Sequence, residues 1–211
     1  MKIIGLSIGE PKTIEYRGKP FTTGIQKKQV DEAFLSYNGF QKDGVANTDF
    51  HGGPDRAVCV YPYERYHYWN RIYGRSLSIP AFGENLTVEG LTEDKVFIGD
   101  TFHIGETIVQ VTQGRIPCAT ISKNNNESDL LKKVVETGFT GYFLKVIKGG
   151  WVTKDSSITL VNRLSEQWDI LKCNDILFHN NGKKEEVERL SKLKELAPQW
   201  NGALLKKYSL K

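Results

Sequence analysis

The chain has 211 residues, of which 39% are hydrophobic and 26% are charged, and its formal net charge is +4. These totals indicate one globular domain with a real core and room for a small appendage, and the weak, dispersed positive charge favours an anionic small ligand over nucleic acid. No apolar run approaches the roughly 20 residues of a membrane span, and the opening residues MKIIGLSIGE lack the apolar stretch of a signal peptide, so we expect a cytoplasmic protein without membrane contacts.

The first 163 residues are predicted to form mainly short strands separated by glycine-rich turns, a pattern typical of a β-barrel or sandwich. Two helices are expected among these strands. Pro62 suits the first turn of a helix that ends at Gly74, and Ser128 is a suitable N-cap for a helix that reaches Thr137, before Gly138. The strands are expected at IIGLSI, GIQKKQV, RAVCVY, the hairpin KVFIGDTFHIGETIVQVTQ, GYFLKVIKGG and SITLVN.

The pattern changes after residue 163, where apolar residues recur at helical spacing in LSEQWDILKCNDILFHN and KKEEVERLSKLKELAPQW. Together with the closing NGALLKKYSL, these stretches predict three helices. A unit of about 45 residues buries little core by itself. We therefore expect a β-barrel domain over residues 1–163 and a three-helix appendage over 164–211, packed on the barrel or on another chain.

The three cysteines lie far apart and include no CxxC pair, which argues against a structural zinc site and against a disulfide framework. Cys59 lies within an apolar strand and Cys173 within the helical region, so both are interpreted as packing residues. Cys118 follows Pro117 on a turn, three residues after Arg115. A nearby cation lowers the pKa of a thiol, so Cys118 is a candidate nucleophile or metal ligand, with a small apolar filler as the alternative.

A glycine-rich motif, DFHGGPDRAVCVYP, covers Asp49 to Pro62. Its two glycines permit close approach of a ligand to the backbone. His51 supplies a titratable group, Asp55 an anchor, and Arg56 a fixed cation suited to phosphate. The same residues are equally typical of a tight turn, and both interpretations stay open.

Two further polar residues are candidates for a ligand site. Asn85, in AFGENLT, can donate to a polar ligand through its amide, although the stretch is also typical of a capped loop. Lys27, in GIQKKQV, is predicted to lie on a strand and to point inward, while Lys28 points the opposite way.

Four motifs in this order resemble the MOSC domain family, named for the C-terminal domain of molybdenum cofactor sulfurases: FHGGPDRAVCVYP, AFGENLT, GLTEDKVFIGDTF and VQVTQGRIPC. The resemblance covers nearly the whole chain and is greatest for the YiiM type, a stand-alone MOSC domain followed by a short three-helix domain. It implies a β-barrel that binds molybdenum cofactor, a pterin that carries a phosphate and a dithiolene-bound molybdenum.

The resemblance also implies roles for individual residues. The family's cysteine falls on Cys118, which would be the catalytic residue as a molybdenum ligand, since thiolate is a soft donor, or would carry sulfur as a persulfide. The family's cofactor-binding residues fall on Lys27, His51, Arg56, Asn85 and Arg115. The stretch GRIPC departs from the Ser-Pro-Cys ending common in YiiM-like proteins, but it keeps the spacing between arginine and cysteine.

The activity that the resemblance implies is two-electron reduction of small N-hydroxylated compounds, such as N-hydroxylaminopurines or amidoximes, at molybdenum. The sequence has no flavin or iron–sulfur motif, so a separate reductase is expected to supply electrons, and the three-helix unit is a candidate to recruit it. The alternatives are a non-catalytic carrier of the cofactor or of sulfur on Cys118, and a regulatory protein that keeps only the fold. An oligomer is compatible with each of these functions.

Overall fold

The structure is a computed structural model that describes residues 1–46 and 52–210. The strands in these ranges are β1 (Lys2–Ile8), β2 (Lys12–Tyr16), β3 (Lys19–Thr23), β4 (Lys28–Gln29), β5 (Glu32–Ser36), β6 (Gly39–Phe40), β7 (Val58–Pro62), β8 (Leu86–Glu89), β9 (Thr101–Ile104), β10 (Thr107–Gly114), β11 (Tyr142–Lys148), β12 (Gly150–Thr153) and β13 (Ile158–Asn162). The helices are α1 (Tyr63–Tyr73), α2 (Thr120–Asn125), α3 (Leu130–Thr137), α4 (Ile170–His179), α5 (Lys184–Ser191) and α6 (Pro198–Lys207). The predicted strand-dominated fold with a few helices is confirmed.

Eight strands form one curled sheet, a half-barrel, in the order β13-β9-β10-β11-β7-β8-β1-β4. Only the β7–β8 pair of this sheet is parallel. A parallel pair needs a long crossover connection, and α1 lies in the segment that connects these two strands. Smaller sheets, β12-β5-β6 and β2-β3, complete the strand structure of the described ranges.

One hydrophobic core extends from the half-barrel into the three C-terminal helices. Val111 and Leu144 of the sheet belong to the same buried cluster as Trp168, Leu190 and Leu204. Removal of this apolar surface from water is the main force that holds the helices on the sheet. Of the two expected partners, the barrel or another chain, the helices pack on the half-barrel, and the division into two domains at residue 163 stays a prediction.

The predicted helices are present, with small shifts at their ends. Helix α1 ends at Gly74, whose left-handed φ of 62° suits glycine. Helix α3 begins later than expected, with Asp129 rather than Ser128 at the N-cap, and it ends before Gly138 as predicted. None of the helices in residues 1–46 and 52–210 is long and apolar enough to cross a membrane.

Two local predictions differ from the structure. The stretch GIQKKQV is mostly loop, because β4 contains only Lys28 and Gln29, so Lys27 lies just before the strand rather than on it. Lys27 is nevertheless the buried member of the pair and Lys28 the exposed one. The short helix α2 was not predicted, because TISKNN lacks apolar residues at helical spacing.

Candidate functional site

A single cavity brings together the predicted site residues that lie in the described ranges. Its volume is about 770 Å³, within the usual range for small-molecule sites. The predicted residues that line it are Lys27, Arg56, Asn85, Arg115 and Cys118. His51 lies outside the residues that the structure describes, so its role stays a prediction.

Lys27 forms an ion pair with Asp43, and both side chains are nearly buried, with 5% and 12% of their surfaces exposed. Asp43 also accepts hydrogen bonds from the backbone N–H of Gly9 at 2.9 Å and from Nδ2 of Asn85 at 2.9 Å. A buried ion pair needs such additional hydrogen bonds to offset the loss of hydration. The sequence reasoning did not identify Asp43, which holds the predicted lysine in place.

Asn85 connects this ion pair to the strands beside it. Its Oδ1 accepts the backbone N–H of Cys59 at 3.0 Å, and its Nδ2 donates to the carbonyl of Ser7 at 3.2 Å as well as to Asp43. Both amide hydrogens therefore have protein partners. The geometry assigns Asn85 to positioning Asp43, and through it Lys27, although the residue also lines the cavity.

Arg115 follows β10 directly and extends into the cavity. Its backbone N–H donates to the carbonyl of Gly141 at 3.0 Å, and its Nη1 donates to the carbonyl of Phe82. The same nitrogen lies 3.9 Å from Sγ of Cys59. These contacts hold the guanidinium at the cavity wall, which Arg115 lines.

Arg56 ends a short 3₁₀ turn, Pro54–Arg56, and its Nε donates to the carbonyl of Gly52 at 2.7 Å. Gly52 and Gly53 have φ values of 79° and 95°, which favour glycine. Among the described residues, no atom lies within 4 Å of a Cβ placed at Gly53. The glycine motif is thus a tight turn that also exposes its backbone to the open space of the cavity, so the two interpretations left open by the sequence are compatible.

The charges that line the cavity fit an anionic ligand with a soft metal centre. Among the described residues, the charged groups that line the cavity are three cations, Lys27, Arg56 and Arg115, and one carboxylate, Asp43, so this part of the wall carries a net charge of +2 (three minus one). Within residues 1–46 and 52–210, no three His, Cys, Asp or Glu side chains are grouped to hold a metal ion by themselves. A metal delivered by an organic dithiolene needs fewer protein ligands, and the thiol of Cys118 supplies a suitable one.

The two cysteines of the cavity differ in their surroundings. Cys118 is partly exposed, whereas Cys59 is buried, with 7% of its surface exposed. Burial raises the pKa of the Cys59 thiol, and the nearby charge of Arg115 opposes this shift. Cys59 was predicted to be a packing residue, and its burial agrees with that role, although it also borders the cavity.

We expect iodoacetamide at pH 8 to modify Cys118 at least about 10 times faster than Cys59 or Cys173. Burial raises the pKa of both other thiols, so they carry little reactive thiolate at this pH, and burial also excludes the reagent. Mass spectrometry of tryptic peptides after timed labelling measures the three rates. The protein unfolded in urea is the control, in which all three cysteines should react alike. Equal rates in the folded protein would contradict the assigned burial.

The cavity also contains residues that the sequence reasoning missed. Gln113 lies within the motif VTQGRIPC but was not selected, and Thr120 comes from the unpredicted helix α2. Gln199 and Trp200 come from α6, so the C-terminal helices contribute to the cavity wall. No motif marks the positions on α2 and α6, because their proximity to the cavity arises only when the helices pack on the sheet.

The sequence is similar to one family model and to known proteins. Residues 47–159 match the model of the MOSC domain. The chain is 39% identical to the uncharacterized protein YflK of Bacillus subtilis (strain 168) over 206 residues, which are 97% of this chain and 93% of YflK. It is 30% identical over 169 residues to a protein of Gibberella moniliformis (strain M3125 / FGSC 7600) named "Reductase", and the match covers 78% of this chain but only 30% of that protein.

The fold is also found in a solved structure. The crystal structure of YiiM from Geobacillus stearothermophilus superposes with a TM-score of 0.82 at 31% sequence identity, covering 98% of each chain. The agreement extends over both the half-barrel and the C-terminal helices. With the family model, the relatives and this structure in agreement, the chain belongs to the MOSC domain family.

Proposed function

We propose that this protein binds molybdenum cofactor and reduces small N-hydroxylated compounds, such as N-hydroxylaminopurines, with electrons from a separate reductase. The MOSC family is associated with molybdenum cofactor. The observation that carries the proposal is the cavity, because Cys118 and three cationic side chains line the same space. A relative named as a reductase adds support for redox chemistry.

The residues present fit the cofactor. Lys27, Arg56 and Arg115 would hold its phosphate and other anionic oxygens, since arginine in particular forms paired hydrogen bonds with such groups. The exposed backbone at Gly53 lets a ligand approach closely. Cys118 would bind the molybdenum as a thiolate.

When bound, the cofactor would supply a centre that accepts an oxygen atom and cycles between oxidation states. The reaction balances as R–NHOH + 2 e⁻ + 2 H⁺ → R–NH₂ + H₂O, with breakage of the N–O bond. The protein would orient the substrate and balance the charge of the cofactor. Solvent water is the source that we propose for the two protons.

The experiment is expression of the full chain in cells with intact cofactor synthesis, followed by two measurements on the purified protein. Elemental analysis should find about one molybdenum per chain. With reduced methyl viologen as the artificial donor, the protein should convert 6-N-hydroxylaminopurine to adenine. Protein from a host that cannot make the cofactor is the control.

The possible outcomes separate the alternatives. Metal with turnover supports the proposed enzyme. Metal without turnover on any N-hydroxylated base or amidoxime supports a cofactor carrier instead. A persulfide on Cys118 in metal-free protein supports a sulfur carrier, and protein with neither metal nor persulfide contradicts both of these and the proposal.

A further inference from the structure

A second cavity, of about 600 Å³, adjoins the candidate site. Lys27 is the one described residue that lines both spaces. The rest of the second wall comes from Lys12 of β2, from residues 26 and 28 on either side of Lys27, from positions between 75 and 81 after α1, and from residues 124–127 where α2 ends. The proposed function uses none of these other residues, so this space requires its own explanation.

Most of the charged groups in this second wall are positive. The described residues that line it include one carboxylate, Glu127, and four cations, Lys12, Lys27, Lys28 and Arg75. Their net charge is +3 (four minus one). Counting the carboxylate that pairs with Lys27, which lines only the candidate site, still leaves +2 (three minus one). A concave surface with one sign of charge attracts ions of the opposite sign.

Two of the four cations lack an opposite charge. Arg75 donates from Nε to Glu127 at 3.0 Å, and Lys27 pairs with Asp43. Neither Lys12 nor Lys28 has an ion pair or a side-chain hydrogen bond with another described residue. Their two ammonium groups are therefore available to a ligand in the second cavity.

Hydrogen bonds within the wall form its shape and occupy two of its backbone acceptors. The carbonyl of Ala81 accepts from Nδ2 of Asn124 at 3.1 Å and from Nδ2 of Asn125 at 2.8 Å. The carbonyl of Asn125 in turn accepts from Nη2 of Arg75. These bonds join the segment after α1 to the end of α2, so the wall is already formed without a ligand. A ligand that enters meets cationic donors in excess, which favours a group that only accepts hydrogen bonds.

We infer that the second cavity is a binding site for a phosphate chain, whether as inorganic tripolyphosphate or as part of a nucleoside triphosphate. Phosphate oxygens accept hydrogen bonds from cationic side chains and carry the opposite charge. One exposed ion pair contributes little, so a single phosphate gains little here, whereas linked phosphates contact several cations at once. Inorganic phosphate is therefore a probe of the candidate site rather than of this one. The inference goes beyond the proposed function and does not depend on molybdenum.

The test is calorimetric titration of the full chain with tripolyphosphate at low ionic strength. Tripolyphosphate should bind cofactor-free protein at both cavities and cofactor-loaded protein at the second cavity alone. Lys12→Gln and Arg75→Gln each remove one cation from the second cavity. We expect each to weaken the binding that persists in the loaded protein about 3-fold, and the double variant about 10-fold. If no preparation holds molybdenum, Arg115→Gln reduces binding at the candidate site instead, so the two proposals can fail separately.

Lys19→Gln is the matched control for Lys12→Gln. Lys19 is an exposed residue of β3, on the same hairpin as Lys12, and it lines neither cavity. Its replacement makes the same change in net charge and should leave binding unchanged. Equal weakening by Lys19→Gln and Lys12→Gln would show attraction to the whole protein rather than to a site. That result would overturn the inference, as would binding that Lys12→Gln and Arg75→Gln leave unaltered or that Arg115→Gln alone abolishes.

Two further probes separate the sources of the phosphate chain. Adenosine triphosphate that binds more tightly than tripolyphosphate would assign the site to a nucleotide, and the reverse order would assign it to an inorganic chain. Both results support a site for linked phosphates. Adenosine should not bind, because it lacks the anionic chain, and adenosine that binds as tightly as adenosine triphosphate would overturn the inference.

Discussion

A Cys118→Ala variant is expected to lose nearly all molybdenum-dependent turnover and most of its bound molybdenum. Replacement of residues that merely support metal ligands commonly lowers metal affinity or activity by about 10- to 100-fold. Loss of a direct thiolate ligand should therefore lower turnover by more than about 100-fold. Elemental analysis and the viologen-driven assay on the same preparation measure both effects.

The two other cysteines provide matched controls for this substitution. Cys173→Ala removes a thiol buried in α4 that does not line the cavity, so its metal content should equal that of the wild type. Cys59→Ala removes the second thiol of the cavity, beside Arg115. Because burial raises the pKa of the Cys59 thiol and disfavours thiolate, this variant should also keep its molybdenum.

Two patterns of metal content would contradict the assignment. A Cys118→Ala protein with full molybdenum would exclude the thiolate ligand, even if turnover were lost. Loss of metal in Cys59→Ala with retention in Cys118→Ala would transfer the ligand role to the buried thiol. Circular dichroism of each variant shows whether a loss of metal reflects unfolding.

The residues that belong to local motifs were predictable from the sequence. Arg56, Arg115 and Cys118 lie in turns that contain glycine and proline. The few residues around each of them are enough to predict both the turn and a possible chemical role. The structure brings all three to one cavity. The helical periodicity of the last 48 residues likewise predicted three helices, because amphipathic spacing can be recognised in the sequence even when the surface that the helices pack on is unknown.

The residues that the sequence could not reveal act through tertiary contacts. Asp43 lies 16 positions from Lys27 and 42 from Asn85, yet it binds both. Trp200 reaches the cavity from a helix that begins 80 residues after Cys118 (198 minus 118). Trp200 occupies a position in the helical pattern that is typical of a core residue. Only the packed structure shows that this part of the core also borders the cavity.

The packing of the C-terminal helices on the sheet changes the choice of experiment. The sequence suggested that they recruit the electron donor, which deletion of residues 165–211 would test. The structure places Leu190 and Leu204 in the core shared with the sheet, so truncation would expose apolar surface and remove a wall of the cavity. Point substitutions on α6 avoid both effects, and a separate comparison of donor-driven with viologen-driven turnover then addresses the reductase.

Substitution of the two members of the buried ion pair is expected to shift anion binding in opposite directions. The described residues of the cavity wall carry a net charge of +2. Lys27→Met lowers it to +1, and Asp43→Asn raises it to +3, each by one charge. A change of one nearby charge at intermediate dielectric is worth about 1–2 kcal/mol, so inorganic phosphate should bind about 10-fold more weakly to the first variant and about 10-fold more tightly to the second.

Both variants should nevertheless be less stable than the wild type in urea unfolding. Lys27→Met leaves the Asp43 carboxylate nearly buried without its cation, for which about 3–5 kcal/mol is a typical cost. Asp43→Asn removes a carboxylate that accepts hydrogen bonds from Gly9 and Asn85 as well as the ion pair. Calorimetric titration with phosphate at low ionic strength measures the affinities, and added salt should reduce the contrast between the variants.

If Lys27 and Asp43 act on the ligand as well as on the fold, the Asp43→Asn variant must bind phosphate more tightly than the wild type although it is less stable. Phosphate should restore more stability to Asp43→Asn than to the wild type, because a ligand that binds only the folded state stabilises it in proportion to its affinity. Lys28→Met is the control, since Lys28 is exposed and does not line the cavity, and it should alter neither property. If both substitutions in the pair weakened phosphate binding equally, Lys27 and Asp43 would act only by maintaining the fold, and the anion site would rest on Arg56 and Arg115 alone.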